Sequence, residues 1–567
     1  MKKFSLIFLL TFFSLTNSQS LTQKINPSPD LYQPKTFFAD SVVYDLLAVM
    51  VEFAADKDAA TYGNGKFGSH YSKEYGNKII DPLPHDRAYF ENHLLFLSNY
   101  YRKASNGKVI VNFRVLDKIV ELPEVMSKYS PPAGSNDLKN LGKLFEEVWK
   151  KADSLNPGFD FSKYDAFTIF HAGVGRDINL TENFNLEKDI PSIFLNLKTL
   201  KQFFGSSYEG VSVGNPAFKI TNSMIIPETE SREVFSFSGT ALLELSINGL
   251  LEASFASYLG LPDLFDTQTG LTAIGRFGLM DGQAMFNYGG LFPPEPSAWE
   301  KWYLGWIKFE EYNNSQMGIN LLSGLASPDR KNTVIKIPIN PSEYFLIENR
   351  QRDAVGDGVK VKSVIGGSVV ERIFPKDTTG FRYYQIDSID GVVIDVDEFD
   401  WALPGSGILI WHIDENVIAS KIHDNKINAD KKNRGIDLEE ADGIQDIGVE
   451  FRTIFGDVVV GDGEPVDFWF KGNTAKLYKN EFSSSSLPNS NSNSSAPSYI
   501  KLNNFSNNSN SMNFDLSVGS DEVKPVYREK ISAPSKNIYL LPNAINSNRV
   551  TVIRKIIQLN VAWCTTV

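Results

Sequence analysis

Residues 240–259 read TALLELSINGLLEASFASYL, and the fold turns on how they are taken. Leu243, Ile247, Leu250, Leu251, Phe255, Tyr258 and Leu259 form a continuous stripe at helical spacing, which predicts an amphipathic helix laid on a core. Gly260 is its natural terminator, because glycine tolerates the left-handed conformation that closes a helix. Behind it come Leu261-Pro262-Asp263-Leu264-Phe265-Asp266, then Gly275-Arg276-Phe277-Gly278-Leu279-Met280, then Trp299-Glu300-Lys301-Trp302-Tyr303-Leu304-Gly305-Trp306.

Upstream, Val42 to Phe53 reads as a buried strand followed by the glycine-rich loop Tyr62 to Gly68. Arg87 to Lys103 carries Phe90, Leu94, Leu95, Leu97 and Tyr101 at helical spacing, and Val109 to Val115 and Ala166 to His171 return to strand. Beyond about residue 326 the pattern shifts to short alternating runs: Thr333 to Ile339, Glu343 to Glu348, Arg382 to Ile386, Val392 to Val396 and Gly407 to Ile413. Such runs, punctuated by Gly, Pro and Asp, predict a β-rich second half. Composition alone makes Ser483 to Ser498 a flexible linker.

The chain has 567 residues, with 56 Lys and Arg against 68 Asp and Glu, a net charge of -12 and one cysteine. The acidic balance offers no electrostatic hold on phosphates, which sets nucleic acid aside as a partner. With Cys564 alone there is neither an internal disulfide nor a thiolate metal cluster, so any metal must take His, carboxylate or carbonyl ligands. Lys2 and Lys3, the apolar run Phe4 to Leu15 and the small residues Ser18 and Ser20 read as an export signal over 1–20. That run is shorter than the roughly 20 residues that cross a bilayer, so a secreted or cell-surface protein without a transmembrane segment is expected.

The series from the 240–259 segment onward resembles the secreted zinc metallopeptidases of the immune inhibitor A family, whose site reads His-Glu-x-x-His-x-x-Gly-x-x-Asp and is followed by a turn containing methionine. Further family-like stretches are His85-Asp86-Arg87-Ala88-Tyr89-Phe90, Phe170-His171-Ala172-Gly173, Ile226-Pro227-Glu228-Thr229-Glu230, Glu343 to Arg350, Leu403 to Glu415 and Glu440-Ala441-Asp442-Gly443. The resemblance covers about residues 40 to 518. It implies an α+β zincin-like (metzincin-like) domain over 38–325 and an all-β sandwich-like domain over 326–520, before a linker and tail over 521–567. It also implies that Ser511 to Val518 is the last strand of the β domain, with the Ser and Asn stretch as a loop-rich margin rather than a linker. Within the tail, Tyr539 to Asn548 resembles, over a short run, the start of carboxy-terminal sorting domains of type IX secretion; an unstructured tail is the expectation.

Aligned on Gly260-Leu261-Pro262-Asp263, the two family histidines fall on Ala253 and Ser257 and the general-base glutamate on Ser254; Asp263 is the one ligand-type position that survives. Neither alanine nor a neutral serine can replace an imidazole on zinc, and without the Glu no group activates a metal-bound water. Met280 marks the methionine turn, and Gly260 and Pro262 are structural. Glu252, immediately before the first lost ligand, points away around the helix and is expected on the surface. His70, His85, His93, His171, His412 and His423 are the full histidine census; a site rebuilt from them needs convergence of separate segments. His171 and His412 are expected to be hydrogen-bonded structural histidines, His412 facing away from Trp411 on a strand. Zinc is not expected; calcium remains open at the acidic stretches Asp395 to Asp400 and Asp462 to Asp467. The implied role is a non-catalytic pseudo-peptidase that binds an extracellular protein, peptide or glycan. The alternatives are an active metal-dependent endopeptidase with relocated ligands, and an adhesion or glycan-binding protein acting through its β domain.

Overall fold

A computed structural model describes residues 32–38, 40–132, 137–178, 187–236, 239–327, 329–374, 389–452, 458–519, 535–542, 550–556 and 562–566. The export signal and the expected strand at 382–386 lie outside the described residues. The protein is a mixed α+β molecule with several sheets and few helices.

The first sheet grows around β1 (Val42–Glu52), which is flanked in parallel by β2 (Val109–Val115) and β3 (Ala166–Val174). Beyond β3 lie β5 (Ser223–Thr229), also parallel, and the antiparallel edge strand β4 (Ile193–Leu195). The order is β2-β1-β3-β5-β4, with the short strand Val120–Glu121 extending the row beside β1. β1 is covered on both faces, as a central parallel strand requires. Its Leu46, Ala48 and Met50 enter one core with helices α1 (Arg87–Ala104) and α3 (Asn248–Leu259), while Leu47, Val49 and Val51 enter another with α2 (Lys139–Leu155). This is the two-residue alternation of a pleated strand.

In the second half, β7 (Val334–Pro338), β8 (Glu343–Arg350), β12 (Gly407–Asp414) and β13 (Ile436–Leu438) follow one another in an antiparallel sheet. A second antiparallel sheet joins β6 (Gln316–Leu322), β16 (Ser511–Val518), β15 (Ile500–Asn503) and β14 (Glu481–Phe482). The two share a core in which Ile337, Phe345, Ile347 and Ile410 meet Ile319, Leu321, Met512, Phe514 and Leu516. The opposite face of the first of these sheets, with Leu346, Leu409 and Trp411, joins the core that holds α1 and α3. A third sheet, β10 (Ser368–Phe374), β9 (Val359–Ile365) and β11 (Val392–Val396), packs on α1 through β11. Apolar packing therefore runs without a break across residue 325.

Two local expectations change, and one reading from composition alone is overruled. The helix begins at Asn248 rather than at residue 240, because Gly239–Leu243 pairs as a strand with Arg232–Ser236; tertiary pairing overrides a helical pattern that short apolar runs share with strands. The Ser and Asn stretch is built rather than loose: Ser490 is fully buried and donates to the Ile500 carbonyl at 2.6 Å, and Ser486 donates to the Pro488 carbonyl at 2.6 Å. In the tail, Ser535–Pro542, Val550–Ile556 and Ala562–Thr566 pair as an antiparallel sheet where an unstructured segment is expected.

Arg350, at the end of β8, ties the halves together. Its guanidinium donates to Asp400 Oδ2 at 2.6 Å, to the Glu295 carbonyl at 3.0 Å and to the Phe277 carbonyl at 3.3 Å. Glu295 in turn pairs with Lys301 at 2.6 Å and Arg330 at 3.0 Å. Beside this network lies a groove of about 450 Å³ lined by Arg102, Lys103, Arg330, Glu398, Phe399 and Asp400 among others. Removing one partner of a buried ion network leaves uncompensated charge and costs roughly 3–5 kcal/mol. Arg350→Ala should lower unfolding free energy by about that amount in urea titration; a loss within about 0.5 kcal/mol, typical of surface sites, would remove Arg350 as the tie.

Candidate functional site

Helix α3 carries the positions that the family motif would use. Its first turn is pressed against the 285–290 turn: Gly249 donates to the Gly290 carbonyl at 3.0 Å, and a Cβ at Gly249 would stand 1.8 Å from the Met285 carbonyl oxygen. Gly260 closes the helix at φ 108°, its amide bonded to the Ser257 carbonyl while Leu261 N reaches the Ala256 carbonyl. Between these ends every residue but Tyr258 is buried. The expected single apolar stripe is thus a helix covered all round.

Ala253 and Ser254 have no exposed surface, and Ser257 is 4% exposed. Ser257 Oγ donates back to the Ala253 carbonyl at 3.2 Å, a bond internal to the helix. Asp263 Oδ2 accepts from Asn425 Nδ2 at 2.6 Å, and Asp263 N donates to Asn425 Oδ1 at 3.1 Å. This reciprocal pair fastens the turn after the helix to the end of the short helical segment between β12 and β13. Pro262 is buried in the same turn. Met280, fully buried in the core that also holds Ala253, is fixed through its amide, which donates to Glu300 Oε1 at 2.8 Å. Glu300 also caps its own short helix, α4 (Ala298–Tyr303), through a capping box with Ser297. The small side chains of Ala253, Ser254 and Ser257 are enclosed by packed neighbours, and overpacking a core costs about 1–3 kcal/mol. Ala253→His should therefore destabilise the fold by about that much in chemical denaturation, whereas a neutral result would mean that the helix keeps an open face.

Glu252 corrects the expectation of a surface carboxylate. It is fully buried, and neither carboxyl oxygen has a hydrogen-bond partner. Burial pushes its pKa well above the ordinary range, so the folded protein holds the neutral acid while the unfolded chain ionises. A carboxyl raised in this way takes stability away as pH climbs above the ordinary glutamate value. Glu252→Gln should accordingly gain stability relative to the parent as pH rises from about 5 to 8, read as the difference in urea midpoint; a pH-independent difference would place the ionised form in the fold.

The histidines divide sharply. His171 is buried on β3, donates through Nδ1 to the Ala172 carbonyl at 3.0 Å, and is lowered to about 4 by burial. His412, on the face of β12 opposite Trp411, sits between Glu343 Oε2 and Glu439 Oε1, each at 3.2 Å. Although burial opposes its charge, these carboxylates raise it to about 9. His423 is exposed. His93 Nδ1 lies 2.6 Å from Asn248 Oδ1 at the start of α3. His70 and His85 converge with Glu228 of β5, their ligand-type atoms all within 4.8 Å of one another. Sequence spacing does not show this grouping, because three separate segments supply it.

Of the acidic stretches, Asp395 to Asp400 is spent on structure: Asp395 pairs with Lys103 at 2.5 Å, Asp397 with Lys360 at 3.6 Å and Asp400 with Arg350. Asp462 to Asp467 contributes Asp467, which meets Glu440 and Asp442 in a cluster of oxygen donors of the type calcium takes. Compared with known families and with characterised proteins, the chain matches no family model and no protein.

Proposed function

We propose that this chain is an exported, non-catalytic relative of the immune inhibitor A type metallopeptidases, a zincin-like domain joined to a β-sandwich-like one. In this reading it binds an extracellular protein, peptide or glycan without cutting it. One observation carries the reading: the positions of both imidazoles and of the base are held by Ala253, Ser257 and Ser254 on a helix packed on every side. No lone pair suited to zinc and no carboxylate base can be presented from there, and Asp263 is committed to Asn425.

A buried helix gives a ligand little to touch, so binding is better placed elsewhere. The groove beside Arg350, with cationic Arg102 and Lys103 near acidic Asp397 and Glu398, offers polar and charged groups suited to a hydrogen-bonding partner. Incubation with peptide libraries and protein substrates, alone and with zinc, cobalt or calcium, should give no cleavage by mass spectrometry. Reproducible cleavage abolished by a chelator would overturn the reading.

A further inference from the structure

Glu228, on β5 of the first sheet, is the fixed point of a buried polar cluster. Gly68 N donates to its Oε1 at 2.6 Å and Gly173 N to its Oε2 at 2.9 Å, so the carboxylate is held from a loop on one side and from β3 on the other. His85 stands just before α1. Its Nε2 lies 2.9 Å from the Asp81 carbonyl, which can only accept, so Nε2 carries a proton. Its Nδ1 faces Glu228 Oε1 at 2.7 Å. A lone pair cannot face a carboxylate oxygen at that distance without a cation or a proton between them.

His70 makes the cluster more than an ion pair. It is 6% exposed, and neither ring nitrogen has a hydrogen-bond partner, although Nδ1 lies 3.5 Å from the same Glu228 Oε1. Buried imidazole nitrogens are ordinarily satisfied. We infer that His70, His85 and Glu228 form a binding site for one zinc-like divalent transition metal ion, which clamps the loop carrying His70 onto the first sheet. The 3.5 Å from His70 Nδ1 to Glu228 lies near the about 3.3 Å between ligands of a tetrahedral ion with bonds of 2.0–2.1 Å, and His85 Nδ1, hydrogen-bonded at 2.7 Å, draws back when the ion takes the place of its proton. The bond from His85 Nε2 to a backbone carbonyl is the outer support that metal-bound histidines use to fix their tautomer. Two nitrogens and one oxygen suit zinc better than calcium or magnesium, and water completes the coordination. On binding, the ion replaces the Nδ1 proton of His85, which passes to solvent. The site departs from the expectation that zinc is absent, uses none of the α3 positions, and is independent of whether the protein cleaves peptides.

The test uses the full chain, stripped with chelator, titrated with zinc by calorimetry, and analysed for retained metal after dialysis. The expected result is close to one equivalent of zinc, proton release seen as a buffer-dependent binding heat, at least tenfold weaker binding in His70→Ala, and unchanged binding in His423→Ala. Cobalt(II) on the unaltered chain should give the intense visible absorption of a four- or five-coordinate ion, a readout that needs no variant to fold. Failure to retain zinc, binding equal in His70→Ala and the parent, or only the weak spectrum of hydrated cobalt would each overturn the site.

Discussion

A charge removed from water costs several kcal/mol unless a partner meets it, and this constraint organises the molecule more visibly than any one sheet. Arg350 gathers Asp400, Glu348 and two backbone carbonyls at the junction of the halves. Fully buried Arg232 pairs with Glu230 at 2.6 Å, and His412 lies between two glutamates. Arg350 and His412 fix the relative placement of segments far apart in sequence, because their partners come from different strands and loops. Buried pairs of this kind add little net stability over apolar packing, but breaking one is expensive. They therefore select one arrangement of the sheets over others of similar apolar burial.

Buried groups without a hydrogen-bond partner stand out against that background. The carboxyl of Glu252, Ser254 Oγ, both nitrogens of His70 and the Asp81 carboxylate are buried and make no hydrogen bond, although Asp81 lies 3.7 Å from His93 and His70 3.5 Å from Glu228. Glu252 and Ser254 lie on α3 beside the positions where the family motif would hold its ligands. Burial there favours uncharged forms, which a carboxylic acid and a hydroxyl can adopt. His70 can likewise stay neutral, but its two nitrogens still lack the contacts that imidazoles in protein interiors almost always make.

Much of the fold is legible in the sequence because local periodicity and burial agree. Val109–Val115, Val392–Val396 and Ser511–Val518 form the strands that their patterns indicate, and Gly260 ends α3 in the left-handed conformation that its place after the stripe implies. Legibility fails where the deciding partner is remote. The strand at Gly239–Leu243 depends on Arg232–Ser236 across a hairpin, and apolar residues of so short a run fit helix and strand equally. Glu252 reads as a surface residue because charge is ordinarily outside; only the packing of α1 and α3 takes it in. The His70, His85 and Glu228 cluster has no spacing signature, since a loop, a helix-start residue and a strand bring it together.

The relationship to zinc peptidases proposed above requires that a zinc-binding helix became core. Two imidazoles turned toward a metal need space, water access and a polar floor, whereas Ala253, Ser254 and Ser257 need none of these. Once small side chains occupy those positions, neighbouring layers can close on the helix, as they do where Gly249 meets the Met285 carbonyl and where Met280 lies in the core with Ala253. Closure adds apolar burial at roughly 25 cal/mol per Å², and it makes the change hard to reverse one residue at a time, because any single large residue meets packed neighbours before it meets a metal. The polar cluster around Glu228 lies away from that helix. Glu228 is already held by two backbone amides and His85 by a carbonyl, so a metal there would order one loop rather than reopen a core.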